Sequence, residues 1–221
     1  MAMDSLTQMA CNMSLIRACK DGNKSDVEKC LEQGANLDYR DKEQSATALH
    51  WAAMDGNVAI VELLLDAGSD IHAKERNSFE RPVLSYAALY GHTEVMKTLL
   101  AHGADVNAAE KLGSTALHYA ASTGQIEMVK LLLEHGIDVN KKNMQGNTAL
   151  HWVAQKEDDM SEVIAVLIES GADISIKNNA GHTCVGFAEE RGHANNLIAL
   201  QKVILEATVQ TSQVKAPKRK I

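Results

Sequence analysis

Thr115-Ala116-Leu117-His118-Tyr119-Ala120-Ala121, running on through Gly124 and Leu131-Leu132-Leu133 to Gly136-Ile137-Asp138-Val139-Asn140, decides how this chain folds, because the phrase recurs. Thr47-Ala48-Leu49-His50-Trp51-Ala52-Ala53 and Thr148-Ala149-Leu150-His151-Trp152-Val153-Ala154 are close copies. Pro82-Val83-Leu84-Ser85-Tyr86-Ala87-Ala88 is a disguised copy, and a weaker one starts at Thr183. The starts at 47, 82, 115, 148 and 183 stand 35, 33, 33 and 35 residues apart, which marks an array of stacked units and not one large core.

The glycines fix the register. Gly22 and Gly34, Gly56 and Gly68, Gly91 and Gly103, and Gly124 and Gly136 are pairs spaced by twelve residues. That spacing predicts two short helices per unit, the first Gly closing an inner helix and the second an outer one, where a left-handed residue is easiest for Gly. Gly113, Gly146 and Gly181 form a third column in the turn before Thr; with Gly171 and Gly192, thirteen of the fourteen glycines belong to the repeat, and only Gly186 lies outside the scheme. In the unit that starts the argument, Leu117, Ala120 and Ala121 are expected to face Ile126, Val129, Leu132 and Leu133, at the 3–4 spacing of half-buried helices. The Thr at each inner-helix start has an N-cap hydroxyl.

The period and the Thr-x-Leu-His phrase resemble the ankyrin repeat, with its T-P-L-H-x-A signature, although the second position here is Ala, Val or Cys and never Pro. The resemblance implies an all-α ankyrin-repeat solenoid, helix-turn-helix-β-hairpin repeats stacked into a curved array. Six repeats are expected at about 13–41, 42–75, 76–109, 110–142, 143–177 and 178–207, the first and last as caps. The leading face of the first repeat is expected to be polar. Residues 1–12 have no usable pattern and are expected to be flexible, and 208–221 to be a disordered basic tail.

Composition narrows the function. The hydrophobic fraction is 45%, and no segment approaches the ~20 uninterrupted apolar residues of a membrane helix. No signal peptide is visible at the start, so an intracellular chain is expected, cytoplasmic with a nuclear option. Cys11, Cys19, Cys30 and Cys184 show no metal or disulfide spacing and read as reduced, partly buried thiols. A net charge of −7, about −11 without the tail, disfavours nucleic acid as main ligand. No P-loop, G-x-S-x-G or dinucleotide fingerprint appears, so no enzyme, cofactor or metal site is expected. His50, His118 and His151 stand in separate repeats, and in the ankyrin family this His bonds within the scaffold.

What the resemblance implies is a monomeric protein-binding module, an adaptor that holds a partner segment in the concave groove between hairpin tips and inner helices. A stoichiometric inhibitor or assembly chaperone clamping a folded domain is the alternative. The residue after the His position is Trp51, Tyr86, Tyr119, Trp152 and Phe187, which either pads one repeat against the next or forms an aromatic ladder open to the groove. Two irregularities fall in loops: a hairpin two residues longer around Arg76 to Glu80, and an insertion at Gln155 to Met160. The longer hairpin carries Phe79, beside Arg81, and Leu89 and Tyr90 end the same repeat's inner helix. With Met54, Asp55 and Leu112 these make the expected partner-binding patch, whose anchors would be Trp51, Phe79, Tyr86, Leu89, Tyr90 and Tyr119.

Two further features have separate readings. Asn107 and Asn140, each eight residues after a Leu and just behind Asp-Val, resemble hairpin asparagines hydroxylated by a 2-oxoglutarate-dependent asparaginyl hydroxylase, and equally read as ordinary hairpin residues. Lys215, Lys218, Arg219 and Lys220 read as a short nuclear-import signal or as a solubilising tail.

Overall fold

The computed structural model describes residues 5–202 and 205. The chain divides into two compact units, one up to Asp138 and one from Val139.

The first unit holds four helix pairs. The inner helices are α1 (Ser5–Lys20), α3 (Ala48–Asp55), α5 (Val83–Tyr90) and α7 (Ala116–Ser122), and the outer ones α2 (Lys24–Glu32), α4 (Val58–Asp66), α6 (Thr93–Ala101) and α8 (Ile126–Glu134). Each inner helix packs on the next inner one and on its own outer helix, and α2, α4, α6 and α8 pack in the same succession. Alanine makes this close approach possible: Ala52, Ala53, Ala87, Ala88, Ala120 and Ala121 are wholly buried where successive inner helices meet. Ile60, Leu64, Met96, Leu99, Met128 and Leu132 of the outer helices complete the core. The second unit repeats the scheme with α9 (Ala149–Ala154), α10 (Ser161–Glu169), α11 (Cys184–Arg191) and a helical run at 194–202. The hairpins form no strand among the described residues, only the isolated bridges Lys74–Pro82 and Ala109–Thr115.

The glycine columns are where the chain reverses. Thirteen glycines have φ between +65° and +93°, and only Gly186, inside α11, does not. Two positions of the third column are not glycine: Ser45 and Glu80 hold φ of 55° and 50° where later repeats have Gly113, Gly146 and Gly181. The fold imposes the left-handed turn there whatever the residue.

The start of the chain differs from expectation. Residues expected to be flexible are helical from Ser5, because α1 is two turns longer than its counterparts and has something to hold. Gln8 Nε2 donates to the Gly34 carbonyl at 3.0 Å, and buried Asn12 accepts the Asn36 N–H at 2.7 Å, closing the turn after α2. The leading face is not polar either, since Leu6, Met9 and Met13 are exposed on it. The basic tail, 208–221, lies outside the described residues.

The inserted loop of the fifth repeat is tied internally. Buried Asn196 accepts the Met160 N–H at 2.9 Å and donates to the carbonyls of Lys156 (2.9 Å) and Asp158 (3.2 Å). All four cysteines are buried free thiols, and burial pushes Cys19 up to about 12.

Two substitutions test this packing by urea denaturation. Leu132→Ala removes a wholly buried side chain and is expected to cost about 2–5 kcal/mol. Gly56→Ala is expected to cost at least about 1 kcal/mol, because φ is +80° and the new Cβ would fall within 2.6 Å of the His92 ring.

Candidate functional site

The His column is structural, and its bonds show why. Thr47 N-caps α3, its N–H donating to His50 Nδ1 at 3.3 Å and its hydroxyl lying 2.7 Å from the same nitrogen. His50 Nε2 faces the Arg81 carbonyl of the next hairpin at 3.3 Å. A carbonyl only accepts, so the proton is on Nε2 and the ring runs from its own cap to the following repeat. His151 does the same from Thr148 to the His182 carbonyl, at 3.1 Å. The third repeat lacks this device for a chemical reason. Pro82 has neither N–H nor hydroxyl, so a ring nitrogen at position 85 would find no donor, and the residue there is Ser85.

The aromatic column divides. Tyr86 lies edge-on to the His50 ring, centroids 6.1 Å apart, and Phe187 meets His151 likewise at 5.9 Å. Tyr86 and Tyr119 are only 2% and 7% exposed, so as partner anchors they are corrected to padding between repeats. Trp51 and Trp152 are half-buried. The Trp51 face is covered by its own chain, with Lys20 Nζ 3.9 Å from the ring centre and its indole N–H donating to Asp41 at 2.9 Å. Lys20 in turn pairs with Glu43 at 2.7 Å and Asp41 at 3.5 Å.

The long hairpin is built around Asn77. Its side-chain oxygen accepts the N–H groups of Phe79 (2.9 Å) and Glu80 (3.2 Å). Its amide donates to the Gln44 carbonyl (3.1 Å) and to buried Glu75 (2.9 Å). Tyr86 donates its hydroxyl to the other Glu75 oxygen, and burial first, that carboxylate second, push the Tyr86 phenol up. Lys111 N–H donates to the Phe79 carbonyl at 2.9 Å, and Lys111 pairs with Glu80 at 2.8 Å, so the fourth hairpin holds the third. Fixed in this way, Phe79 stays 43% exposed, with Leu112 at 47% and Tyr90 at 51%.

Arg81 is half-buried among these groups. Its guanidinium carbon is 4.5 Å from the Phe79 ring centre and 5.9 Å and 5.8 Å from those of Tyr86 and Tyr119. Glu110, buried at the base of the fourth hairpin, is 3.8 Å from Arg81 Nε. Tyr90 stacks nearly parallel on Tyr86 (8°, 6.2 Å), and His92 beside it is 2.9 Å from the Met54 carbonyl. Met54 and Leu89 are half-buried and Asp55 exposed at the inner-helix ends. Of the expected patch, Phe79, Arg81, Leu89, Tyr90, Leu112, Met54 and Asp55 all belong to the first unit, whereas Trp152 belongs to the second. Sequence reasoning missed Glu75, Asn77 and Glu110; for Glu75 and Asn77, polar residues in a hairpin two residues longer than its neighbours were the available signal, and for Glu110, in the fourth hairpin, there was none.

Asn107 and Asn140 also bridge hairpins. Asn107 accepts the Asp138 N–H at 2.9 Å; Asn140 accepts from Asp173 at 2.8 Å and donates to the Gly171 carbonyl at 3.0 Å. No helix among the described residues is long and apolar enough to cross a membrane. The cations at 215–220 lie outside the described residues.

The buried imidazoles give an acid limb to stability. Burial above all pushes His50 down from its ordinary 6.5 to about 4, and His151 is lowered for the same reason. The folded state therefore holds them neutral while the unfolded chain takes up protons below about 6.5. Denaturation at constant ionic strength is expected to show stability intact above pH 6.5 and lost progressively towards pH 4, by up to about 3 kcal/mol for His50. A flat profile over that window would contradict the buried neutral ring.

Comparison with known proteins agrees with this architecture. The family model for ankyrin repeats in three copies matches residues 15–110 and again 84–178. Among curated proteins, palmitoyltransferase AKR1 of Yarrowia lipolytica is 33% identical over 60 residues, 27% of this chain and 8% of the relative. The 2-5A-dependent ribonuclease of Mus musculus is 39% identical over 64 residues, 29% of this chain and 9% of the relative. The matches thus span less than a tenth of those relatives' length. Among solved structures, an ankyrin repeat domain from Acinetobacter baumannii AYE is similar with TM-score 0.74 and 29% identity, over 85% of this chain and 95% of that one. A chain in the structure of a predatory endopeptidase from Bdellovibrio bacteriovorus in complex with an immunity protein has TM-score 0.76 and 29% identity, over 86% and 97%.

Proposed function

Since the chain belongs to the ankyrin-repeat family, whose repeats generally mediate protein–protein interaction without chemistry of their own, we propose that it is a non-catalytic adaptor or scaffold. It holds a segment of a partner protein against the third and fourth repeats. The observation that carries this reading is the exposure of Phe79, Tyr90 and Leu112 around Arg81, each at a position the hairpin and helix bonds fix. Large apolar side chains kept in water on an ordered frame call for a partner, and aromatic residues with Arg are the usual anchors of such contacts. Arg81 adds a charge already compensated by Glu110, so the patch selects by shape and apolar fit at its centre, with charge at its rim.

A second reading is a stoichiometric inhibitor or assembly chaperone that clamps a folded domain. It is favoured by the similarity to a chain from the endopeptidase complex with an immunity protein. The two readings differ in what is bound, an extended peptide or a surface that exists only in an intact domain. Asn107 and Asn140 are in addition candidate hydroxylase substrates, each of which would add one oxygen to the mass of the native protein.

The test is affinity capture from native lysate with the wild-type chain beside a Phe79→Ala, Tyr90→Ala double variant. Both side chains are exposed, so the variant is expected to keep its stability to within about 1 kcal/mol while losing most of the captured partner. Equal capture by both proteins would remove the patch as the binding surface. Proteolytic fragments of the partner then separate the readings, since only an adaptor retains a short peptide.

A further inference from the structure

The tip of the long hairpin meets both neighbouring hairpins, and it presents a different chemistry to each. Toward the fourth repeat stands Phe79, whose carbonyl accepts the Lys111 N–H at 2.9 Å. Toward the second stands Arg76, whose N–H donates to the Ser45 carbonyl at 3.3 Å. The same Ser45 oxygen accepts Arg40 Nη1 at 3.1 Å, and that nitrogen also donates to the Lys74 carbonyl at 2.7 Å. Arg40 and Arg76 are therefore neighbours, close enough for their charges to interact: burial first, and the Arg76 guanidinium second, lower Arg40 from its ordinary value.

These cations are not neutralised at close range. Among the described residues no carboxylate forms an ion pair with Arg40, Lys74 or Arg76. The acidic residues of the hairpin itself are engaged elsewhere: Glu75 is buried and holds Asn77 and Tyr86, and Glu80 pairs with Lys111 at 2.8 Å. Asp38 and Asp70 reach Arg40 only as distant charges. Arg40 is half-buried with Nη1 on two carbonyls, and Lys74 Nζ is held by the Ala109 carbonyl at 2.8 Å, which leaves the exposed Arg76 guanidinium as the free donor. An open cleft of about 360 Å³ runs beside it, lined by Lys74, Glu75, Arg76, Asn77 and Glu80. An unpaired cationic edge on an ordered frame, in a chain of net charge −7, calls for an anion from outside.

We propose that this cleft takes an oxyanion of the partner segment, the carboxylate of an Asp or Glu or the phosphate of a phosphorylated residue, and that Arg76 is the residue that reads it. The proposal rests on Phe79 being an anchor for that segment. A guanidinium matches either oxyanion with two parallel N–H···O bonds, which a point charge cannot do. Arg40 stands behind and adds field without a direct bond. Arg76 and Phe79 are three residues apart on one tip, a reach of at most about 11 Å. The oxyanion therefore stands within about four residues of the side chain that covers Phe79. One tip thus reads two features of the partner, an apolar group on its Phe79 side and a negative charge on its Arg76 side.

The test selects random dodecapeptides displayed on phage against the full chain, with the Phe79→Ala, Tyr90→Ala variant as counter-selection. Peptides held by wild type and released by that variant are expected to carry Asp or Glu within about four residues of an aromatic or long aliphatic side chain. The strongest of them, synthesised, is expected to bind Arg76→Gln about tenfold or more weakly than wild type, and to lose the same factor when its acidic residue is made Gln. Arg76 is exposed, so its variant is expected to keep the circular dichroism and melting curve of wild type. Phosphoserine in place of the acidic residue separates the two sources: tighter binding identifies a phosphate, weaker binding a carboxylate. Unchanged affinity for Arg76→Gln, or selected peptides with no recurring acid, overturns the oxyanion site and leaves the apolar patch standing. Peptides that bind the Phe79→Ala, Tyr90→Ala variant equally, or a selection that yields none, overturn the patch reading and the oxyanion site with it.

Discussion

Each repeat of the first unit buries its inner helix against its own outer helix and against the inner helices of neighbouring repeats, and the other features of that unit are built on the second of these contacts. The alanines of α3, α5 and α7 leave no side-chain bulk between successive helices, so the helices approach closely and exclude water. An isolated helix pair would leave that face in water, which is why stability here is a sum of neighbour contacts. Once water is excluded, polar groups at the boundary must pair within the protein. The imidazole of His50 meets this demand at both ends, taking the cap of its own helix and giving its proton to the next hairpin.

The third repeat departs from this economy in several places at once. Pro82 removes the cap, Ser85 the imidazole, and the hairpin grows by two residues. In exchange the repeat gains a different polar frame: Asn77 folds the hairpin tip, and Glu75 binds both Asn77 and Tyr86. Arg81 lies among three aromatic rings opposite Glu110. A buried charge pair of this kind contributes little net stability against hydrophobic packing, and its value is in fixing where things point. Phe79 itself is held in water by the Asn77 and Lys111 bonds, with the Arg81 guanidinium 4.5 Å from its ring centre.

Much of this was legible in the sequence, though unevenly. The glycine columns predicted every left-handed turn that glycine makes, since backbone sterics depend only on the residue at the turn. They could not show that Ser45 and Glu80 adopt the same conformation, because neighbouring hairpins impose it. The aromatic column was visible as a column, but whether a ring pads or protrudes depends on the next repeat. Tyr86 is covered because it meets His50 edge-on, and Tyr90, four residues later on the same helix, is not. The helical start of α1 was missed because its partners, Gly34 and Asn36, are distant in sequence.

The sequence by itself determined the repeat, its period, the helix pairs and their caps, because these follow from local sterics and from apolar spacing along one helix. Tertiary structure alone decided which aromatic residues remain in water and which polar residues hold the long hairpin. Those are properties of pairs of side chains some thirty residues apart, such as His50 with Arg81, and no local pattern records whether both partners are present.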